Sequence, residues 1–194
     1  MPAWLRRLEA RTPIGPIQLV SDVLQHCETL MQQGRVQFLL CHAHDTVPGR
    51  LEAASYPSLK VGVDALMPVA APDAAGRPRH TLKRDAMASV PVLAYSAESG
   101  LGRLVRALRG DMLAGARVDT VFTAHLASVL RTMALQGKGI AWLPRSLIED
   151  DLQARRLVEA GDASWRVELD IRLFRRAGTE PPAAEALWAA AAAG

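Results

Sequence analysis

Extended apolar runs alternate with helical patterns along most of the sequence, and this alternation constrains the fold more than any other feature. Strands are predicted at residues 17–20, 36–41, 59–71, 91–95, 117–122, 139–143 and 165–175. Helices are predicted at residues 2–10, between the cap Ser21–Asp22 and Gly34, and at residues 100–109, 125–136, 145–154 and 181–188. Repeated strand and helix units favour parallel sheets with crossover helices. The sequence therefore predicts an α/β fold.

Two further features bear on how these elements are grouped. A stretch rich in Pro, Gly and Arg, Ala71–Arg84, separates a first strand–helix–strand unit from a second cycle of the same kind, which indicates two small lobes. The run Val36–Cys41 is almost continuously apolar and of strand length. Such a run is typical of a strand buried on both faces of a parallel sheet.

Composition excludes several classes of protein. The longest stretch without a charged residue, Ala86–Ala97, is too short to span a bilayer, and no secretion signal is recognisable, so we expect a cytoplasmic protein without membrane contact. A net charge of +3 over 194 residues provides no concentrated basic face for nucleic acid. Two cysteines, Cys27 and Cys41, are too few for a disulfide scaffold and are expected to be buried, reduced thiols.

The loop after strand 91–95 has the composition of a small-anion site. Ser99 is a natural N-cap for the helix that begins at Gly100, and the unpaired N–H groups of that first turn, with the Ser96 hydroxyl, would attract an anion or a carboxylate. The alternative is structural: Ser99 only caps the helix, and Ser96 only forms the turn.

A second loop of the same kind follows strand 117–122. Thr123 is predicted to cap the helix 125–136, and His125 to present its ring over the strand ends, where it could donate to a ligand. A structural role for His125 is the alternative.

Four potential metal ligands lie at the end of strand 36–41, namely Cys41, His42, His44 and Asp45. A strand sends alternate side chains to opposite faces, and no second cluster supplies further ligands, so we expect no metal site. His44 is then structural or lines a ligand cleft. No nucleophile elbow, phosphate loop or complete dinucleotide fingerprint is present, so we expect a binding protein without cofactor and without enzymatic activity.

The segment Met133–Pro144, which reads MALQGKGIAWLP, resembles the effector-binding domain of LysR-type transcriptional regulators. Supporting similarity extends to Leu66–Pro72, to Pro91–Ser96 and to Leu157–Val158, so that it covers nearly the whole chain. The resemblance implies two Rossmann-like lobes of the type II periplasmic-binding-protein kind: lobe I formed by residues 1–62 and 165–194, lobe II by residues 63–164.

The same resemblance implies a small effector held between the lobes, with Ser96, Ser99, Gly100, Thr123, His125 and His44 as candidate contacts, and a homodimer or homo-oligomer as the assembly. DNA would be contacted only through a helix-turn-helix domain, which this chain is expected to lack together with the first strand of lobe I. Strand 17–20 would then have an unpaired edge.

Within the family, the ending Ile140–Pro144 and the pair His44–Asp45 resemble the branch that includes hypochlorite-responsive regulators. The methionine expected near the start of helix 125–136 is Leu126 here, which argues against oxidant sensing at that position. Two other functions remain open: a stand-alone solute-binding or modulatory module without DNA binding, and an enzyme based on the Cys41–His44 region.

Overall fold

The computed structural model describes residues 16–83, 88–178 and 181–193. The predicted helix 2–10 lies outside the described residues. The helices are, in chain order, α1 Leu24–Gln32, α2 Arg50–Ala53, α3 Gly100–Gly115, α4 Ala127–Leu135, α5 Arg145–Gln153 and α6 Pro182–Ala192. The strands are β1 Phe38–Ala43, β2 Ser58–Ala70, β3 Val90–Tyr95, β4 Val118–Ala124, β5 Ala141–Pro144, β6 Val158–Glu159 and β7 Val167–Arg175.

The chain divides into two compact units. The first unit combines the residues up to Val63 with those from Asp170 onward, and the second unit comprises Asp64–Leu169. Strands β2 and β7 each contribute residues to both units, since β2 spans 13 residues across one boundary and β7 spans 9 across the other. In the described part of the chain, no helix is both long enough and apolar enough to cross a membrane.

In the first unit, the parallel environment predicted for residues 36–41 is wrong. Strand β1 pairs with β7 in the antiparallel sense, from Phe38 opposite Arg175 to Ala43 opposite Asp170. It is the end strand in the order of described strands, and Leu40 is 38% exposed. The apolar run is therefore covered incompletely, because the strand has one described neighbour instead of two.

The predicted strand 17–20 is also wrong: these residues have no regular secondary structure. Their apolar side chains are exposed, and Leu19 reaches 82%. A strand gains its stability from pairing and from burial of one face, and no described strand runs beside this segment.

Helix α1 begins at Leu24, one residue later than a cap at Asp22 indicates. The N-cap residue is Val23 and makes no side-chain capping bond. Asp22 instead accepts a hydrogen bond from the Val23 N–H at 2.7 Å and contacts His26 Nδ1 at 2.6 Å. The core beneath this helix contains Met31, Leu39, Leu51 and Phe174. On the C-terminal helix α6, Trp188 stacks on Phe38.

In the second unit, β3 and β4 form the predicted parallel pair, from Val90 opposite Val118 to Tyr95 opposite Ala124. Strand β5 pairs with β2 in the antiparallel sense, and Ile140, just before it, bridges to Val92 of β3. The described strands therefore form antiparallel pairs as well as a parallel one, where strand and helix alternation alone predicts parallel pairs.

Two buried tryptophans fix the interior of the second unit. Trp142 donates its indole N–H to the carbonyl of Trp165 at 3.0 Å, and the Tyr95 hydroxyl donates to the carbonyl of Trp142 at 2.9 Å. Both indoles are at most 2% exposed. Burial raises the pKa of Tyr95 far above its usual value, so its hydroxyl remains a donor. These bonds attach the end of β3 to the core.

A fully buried carboxylate lies on helix α5 of the same unit. Asp151 on α5 accepts hydrogen bonds from Arg131 on α4 and from Arg156, the latter at 2.7 Å. The hydrogen bond from Arg131 lowers the pKa of Asp151 most. Burial opposes this effect, and the bond from Arg156 adds to it. The charge is compensated within the unit, as burial of a carboxylate requires.

Candidate functional site

The carboxyl ends of β3 and β4 bring two loops together in the second unit. Beyond the last residues of the strands, the Ser96 N–H donates to the carbonyl of Ala124 at 3.0 Å, which extends the parallel ladder by one bond. We call the β3–α3 loop, Ser96–Ser99, and the β4–α4 loop, His125–Leu126, the paired loops. Ligands of open α/β sheets bind at such strand ends.

Ser99 caps helix α3, as predicted, and Gly100 is the first residue of that helix. The Ser99 side chain accepts a hydrogen bond from the Gly102 N–H at 3.3 Å, and Ser99 is 5% exposed. The remaining N–H groups of the first turn have no partner within the helix. The positive end of a 16-residue helix therefore meets the paired loops.

Helix α3 lies unusually close to the end of β3. A side chain at Gly102 would place its Cβ 2.5 Å from the Cβ of Tyr95 and 3.1 Å from the carbonyl oxygen of Ser96. Only a residue without a side chain permits this approach. The absence of a Cβ at residue 102 thus determines how near the helix start comes to the loop.

Arg106 holds the β3–α3 loop from the second turn of α3. Its guanidinium donates to three consecutive carbonyl groups: to Tyr95 and Ser96 at 3.3 Å each and to Ala97 at 3.0 Å. Sequence reasoning missed this residue. The available signal was its position seven residues after the cap Ser99, which places both on one face of a helix.

The Ser96 hydroxyl and the Glu98 carboxylate are neighbours in this loop. Ser96 Oγ is buried and has no hydrogen-bond partner among the described residues. Glu98 is exposed. Its own backbone N–H, the nearby Ser96 and the positive charges of His125 and Arg106 lower the pKa of the Glu98 carboxyl. Glu98 was also missed by sequence reasoning, and it puts a negative charge where an anion is expected.

Thr123 does not cap a helix, so that prediction is wrong. Strand β4 continues through Ala124, and helix α4 begins at Ala127 with Leu126 as its N-cap and no side-chain capping bond. Thr123 is instead an exposed strand residue opposite Ala94. His125 is exposed in the loop between the two elements. The helix starts later than predicted because Thr123 and Ala124 still pair with β3.

His44 belongs to the first unit, immediately after β1. When His44 Nδ1 carries no proton, it accepts two hydrogen bonds from Thr46. The Thr46 N–H donates one at 3.2 Å, and the Thr46 hydroxyl donates the other at 2.9 Å. The adjacent Asp45 pairs with Arg172 of β7. These contacts suit a turn after the strand, and the effector role of His44 stays a prediction.

No cluster of three or more metal-ligating side chains occurs among the residues that the structure describes. Cys27 and Cys41 are partly buried and are not joined in a disulfide. Burial raises the pKa of Cys27 and therefore disfavours its reactive thiolate.

Comparison with known proteins identifies the family. The LysR substrate binding domain matches residues 1–194. The HTH-type transcriptional regulator YjiE of Escherichia coli strain K12 is 30% identical over 137 residues, which are 70% of this chain and 43% of that regulator. The HTH domain-truncated transcriptional regulator QseD of Escherichia coli O157:H7 is 29% identical over 137 residues, 70% of this chain and 54% of that protein.

Solved structures agree on the fold. The regulatory domain of HypT from Salmonella typhimurium, in its apo form, has a TM-score of 0.79 at 22% identity, with 96% of this chain and 86% of that domain covered. Its bromide-bound form has a TM-score of 0.74 at 22% identity, with 97% and 88% covered. The chain spans about half the length of the two regulators YjiE and QseD.

The fold is thus the mixed α/β fold of LysR regulatory domains, which resembles periplasmic binding proteins. The family match over residues 1–194 includes the paired loops. The family consists of regulatory domains, not enzymes. The chain belongs to the LysR substrate-binding domain family.

Proposed function

We propose that this domain binds a small anionic effector at the paired loops and transmits its presence to a DNA-binding helix-turn-helix module. The observation that carries this proposal is the buried hydroxyl of Ser96, a residue whose N–H binds the carbonyl of Ala124, directly before His125. Family membership supports the regulatory role.

The groups at this edge suit an anion. The first-turn N–H groups of α3 and the helix dipole favour negative charge, the Ser96 hydroxyl can donate, and the His125 ring can donate from the second loop. Ser99 holds the helix start in place through its bond from the Gly102 N–H. Thr123, on β4 and two residues before His125, is the remaining candidate contact in the second unit.

Signal transmission would follow from differential binding. An effector that binds one arrangement of the domain more tightly shifts the population toward it, by as much as the difference in affinity allows. We infer that the domain acts as a homodimer or larger homo-oligomer in the cytoplasm, and that DNA is contacted only by the helix-turn-helix module.

The finer fold assignment belongs to the same proposal. We infer two Rossmann-like lobes and room for one further strand beside β1. The exposure of Leu40 and the lack of a strand partner for residues 17–20 among the described residues support this inference.

Titration of the 194-residue chain with sodium bromide tests the site, because bromide occurs bound to the HypT regulatory domain. Backbone amide NMR should show saturable shifts at Ser96–Gly100 and at His125. Ser99→Ala and Thr123→Val should each weaken binding severalfold. The matched control Thr120→Val, which changes an exposed threonine of the same strand, should not. Equal affinity of both site variants and the wild type would refute the assignment.

A second candidate is a stand-alone modulatory module that contacts no DNA. The similarity to QseD, named as HTH domain-truncated, favours it. The intact mass of the endogenous protein separates the two functions. A mass near 20.9 kDa supports a module acting through a partner. A chain longer by about a hundred residues, the size of one small domain, supports a complete regulator.

A further inference from the structure

We propose that Arg145, the first residue of helix α5, supplies positive charge to the effector site: its guanidinium leaves Glu149 and binds the anion that enters at the paired loops. This inference rests on the proposed function and adds to it a residue that determines the charge of the ligand. It favours a carboxylate or another oxyanion, which a guanidinium binds through two parallel N–H groups.

A third parallel strand ends at the sheet edge that carries the paired loops. The Leu93 N–H of β3 donates to the carbonyl of Ile140 at 2.8 Å, and the Ile140 N–H donates to the carbonyl of Pro91 at 2.9 Å. The bridge that these bonds form, between Val92 and Ile140, is parallel. Strand β5 follows Ile140 directly and ends at Pro144. Its carboxyl end therefore lies at the same edge as the carboxyl ends of β3 and β4, where ligands of open α/β sheets bind.

Arg145 follows this third strand end directly. Tyr95, the last residue of β3, donates its hydroxyl to the carbonyl of Trp142 in β5 at 2.9 Å, so the two strand ends are joined. Helix α5 begins directly after β5, as α3 and α4 begin after the paired loops. All of these strands and helices belong to the second unit. Arg145 and the paired loops thus occupy one edge of one unit.

The backbone at the start of α5 is already bound to a carboxylate. Asp64, which is 8% exposed, accepts hydrogen bonds from the Ser146 N–H at 3.1 Å and from the Ser146 hydroxyl at 2.5 Å. This buried negative charge compensates the positive end of the helix, which therefore attracts a further anion little. An anion at the paired loops also meets the negative charge of the exposed Glu98. The Arg145 side chain can offset both carboxylates.

Arg145 is free to exchange its partner because its ion pair lies at the surface. Arg145 Nε donates to Glu149 Oε2 at 2.9 Å, and the two side chains are 60% and 43% exposed. Solvent screens such a pair, so it stabilises the fold little. Arg106, in contrast, already binds three backbone carbonyls of the β3–α3 loop. Exchange of Glu149 for a bound anion leaves the fold of the unit unchanged.

The test compares the affinity for bromide of the wild-type chain with that of Arg145→Gln, by titration followed by amide NMR. We expect an affinity about fourfold lower for the variant, the effect of one unit charge near 5 Å in a water-like medium. Arg155→Gln is the matched control, because it removes an exposed guanidinium beyond the other end of α5, and its affinity should equal that of the wild type. In the wild type, the Arg145 Nε–H signal should shift with bromide, which a merely structural role would not produce.

Removal of Glu149 tests the exchange of partners. Glu149→Gln should raise the affinity for bromide, because it frees Arg145. Asp150→Asn, which removes an exposed carboxylate from the next residue, should leave the affinity unchanged. In the double variant Arg145→Gln/Glu149→Gln the gain should disappear. A gain that persists there would show that Glu149 acts by repulsion alone, and it would overturn the exchange.

The outcomes separate this inference from the proposed function. Lower affinity of Arg145→Gln, with unchanged affinity of Arg155→Gln, supports the role of Arg145. Equal affinity of Arg145→Gln and the wild type, with shifts at the paired loops, overturns that role and leaves the proposed function intact. Absence of shifts at these loops in every variant refutes the proposed function, and the role of Arg145 with it.

Discussion

The ends of strands β3 and β4 and the outer edge of strand β1 are stabilised in different ways. At the first place, a ladder bond from Ser96, a helix cap at Ser99 and three bonds from Arg106 fix the loop. At the second place, Leu40 is 38% exposed and β1 has one described neighbour. Hydrogen bonds between residues close in sequence or on neighbouring strands thus hold the paired loops. The outer edge of β1 has no described strand beside it to cover Leu40.

The largest effect is expected from Asp151→Ala, which removes the buried charge that joins α5 to Arg131 of α4. The variant leaves Arg131 and Arg156 without their carboxylate, and we expect the free energy of unfolding to fall by about 3 kcal/mol, since breaking a buried pair is strongly destabilising. Both arginines reach solvent, which limits the loss. Urea unfolding followed by tryptophan fluorescence measures it, with the exposed Asp150→Ala as control.

The same pair predicts a dependence on pH. The pKa of Asp151 is lower in the folded state, so its contribution is complete above the unfolded value of about 3.9 and is lost as pH falls through the folded value. The stability difference between the wild type and Asp151→Ala should therefore shrink as the pH falls. The decrease should begin about one unit above the unfolded pKa and continue below that pKa. A difference that is constant down to acid unfolding would contradict the ion pair.

A smaller effect is expected where α3 approaches β3. Gly102→Ala introduces a Cβ 2.5 Å from that of Tyr95, and we expect a loss of about 2 kcal/mol from overpacking. Gly110→Ala, in the same helix with nothing within 4 Å of its Cβ, should instead gain about 0.5–1 kcal/mol. Thermal unfolding of both variants checks the opposite signs. Equal effects would mean that helix propensity, and not close approach, governs residue 102.

The smallest change in stability concerns the edge of β1. Leu40→Lys places a charge on an exposed strand residue, so the free energy of unfolding should change by less than about 0.5 kcal/mol while association between copies decreases. Sedimentation velocity over a range of concentrations measures this association. Leu147→Lys changes a leucine of similar exposure, 37%, on helix α5 and should have no effect. An equal decrease in association for Leu40→Lys and Leu147→Lys would show that the edge of β1 has no special role in association.

Local signals in the sequence predicted the second unit better than the first. Ser99 caps its helix as expected because a cap requires only four consecutive residues, and the β3 and β4 runs lie close enough in sequence to pair as predicted. The antiparallel partner of β1 could not be inferred from its apolar run, because the pairing joins Phe38 to Arg175 across the chain. The residues 17–20 have strand composition but no described neighbour to pair with.

Within the candidate site, sequence reasoning found residues by type and missed those that act through position. Ser96, Ser99 and His125 have chemistry that suggests a ligand, and the structure brings their loops together through Ser96 and Ala124. Arg106 gains its importance from what it faces, namely the carbonyls of Tyr95, Ser96 and Ala97. Thr123 was assigned to a helix cap because the sequence around it does not show that β4 continues. That continuation depends on pairing with β3, which joins residues distant in sequence.

The interior of the second unit also has an optical consequence. Trp142 and Trp165 are buried in it at a centroid distance of 6.3 Å, whereas Trp188 belongs to the first unit and stacks on Phe38. Each unit therefore contains its own intrinsic fluorophores. A variant with Trp4→Phe and Trp188→Phe keeps only Trp142 and Trp165, so the red shift of its emission would report the opening of the second unit.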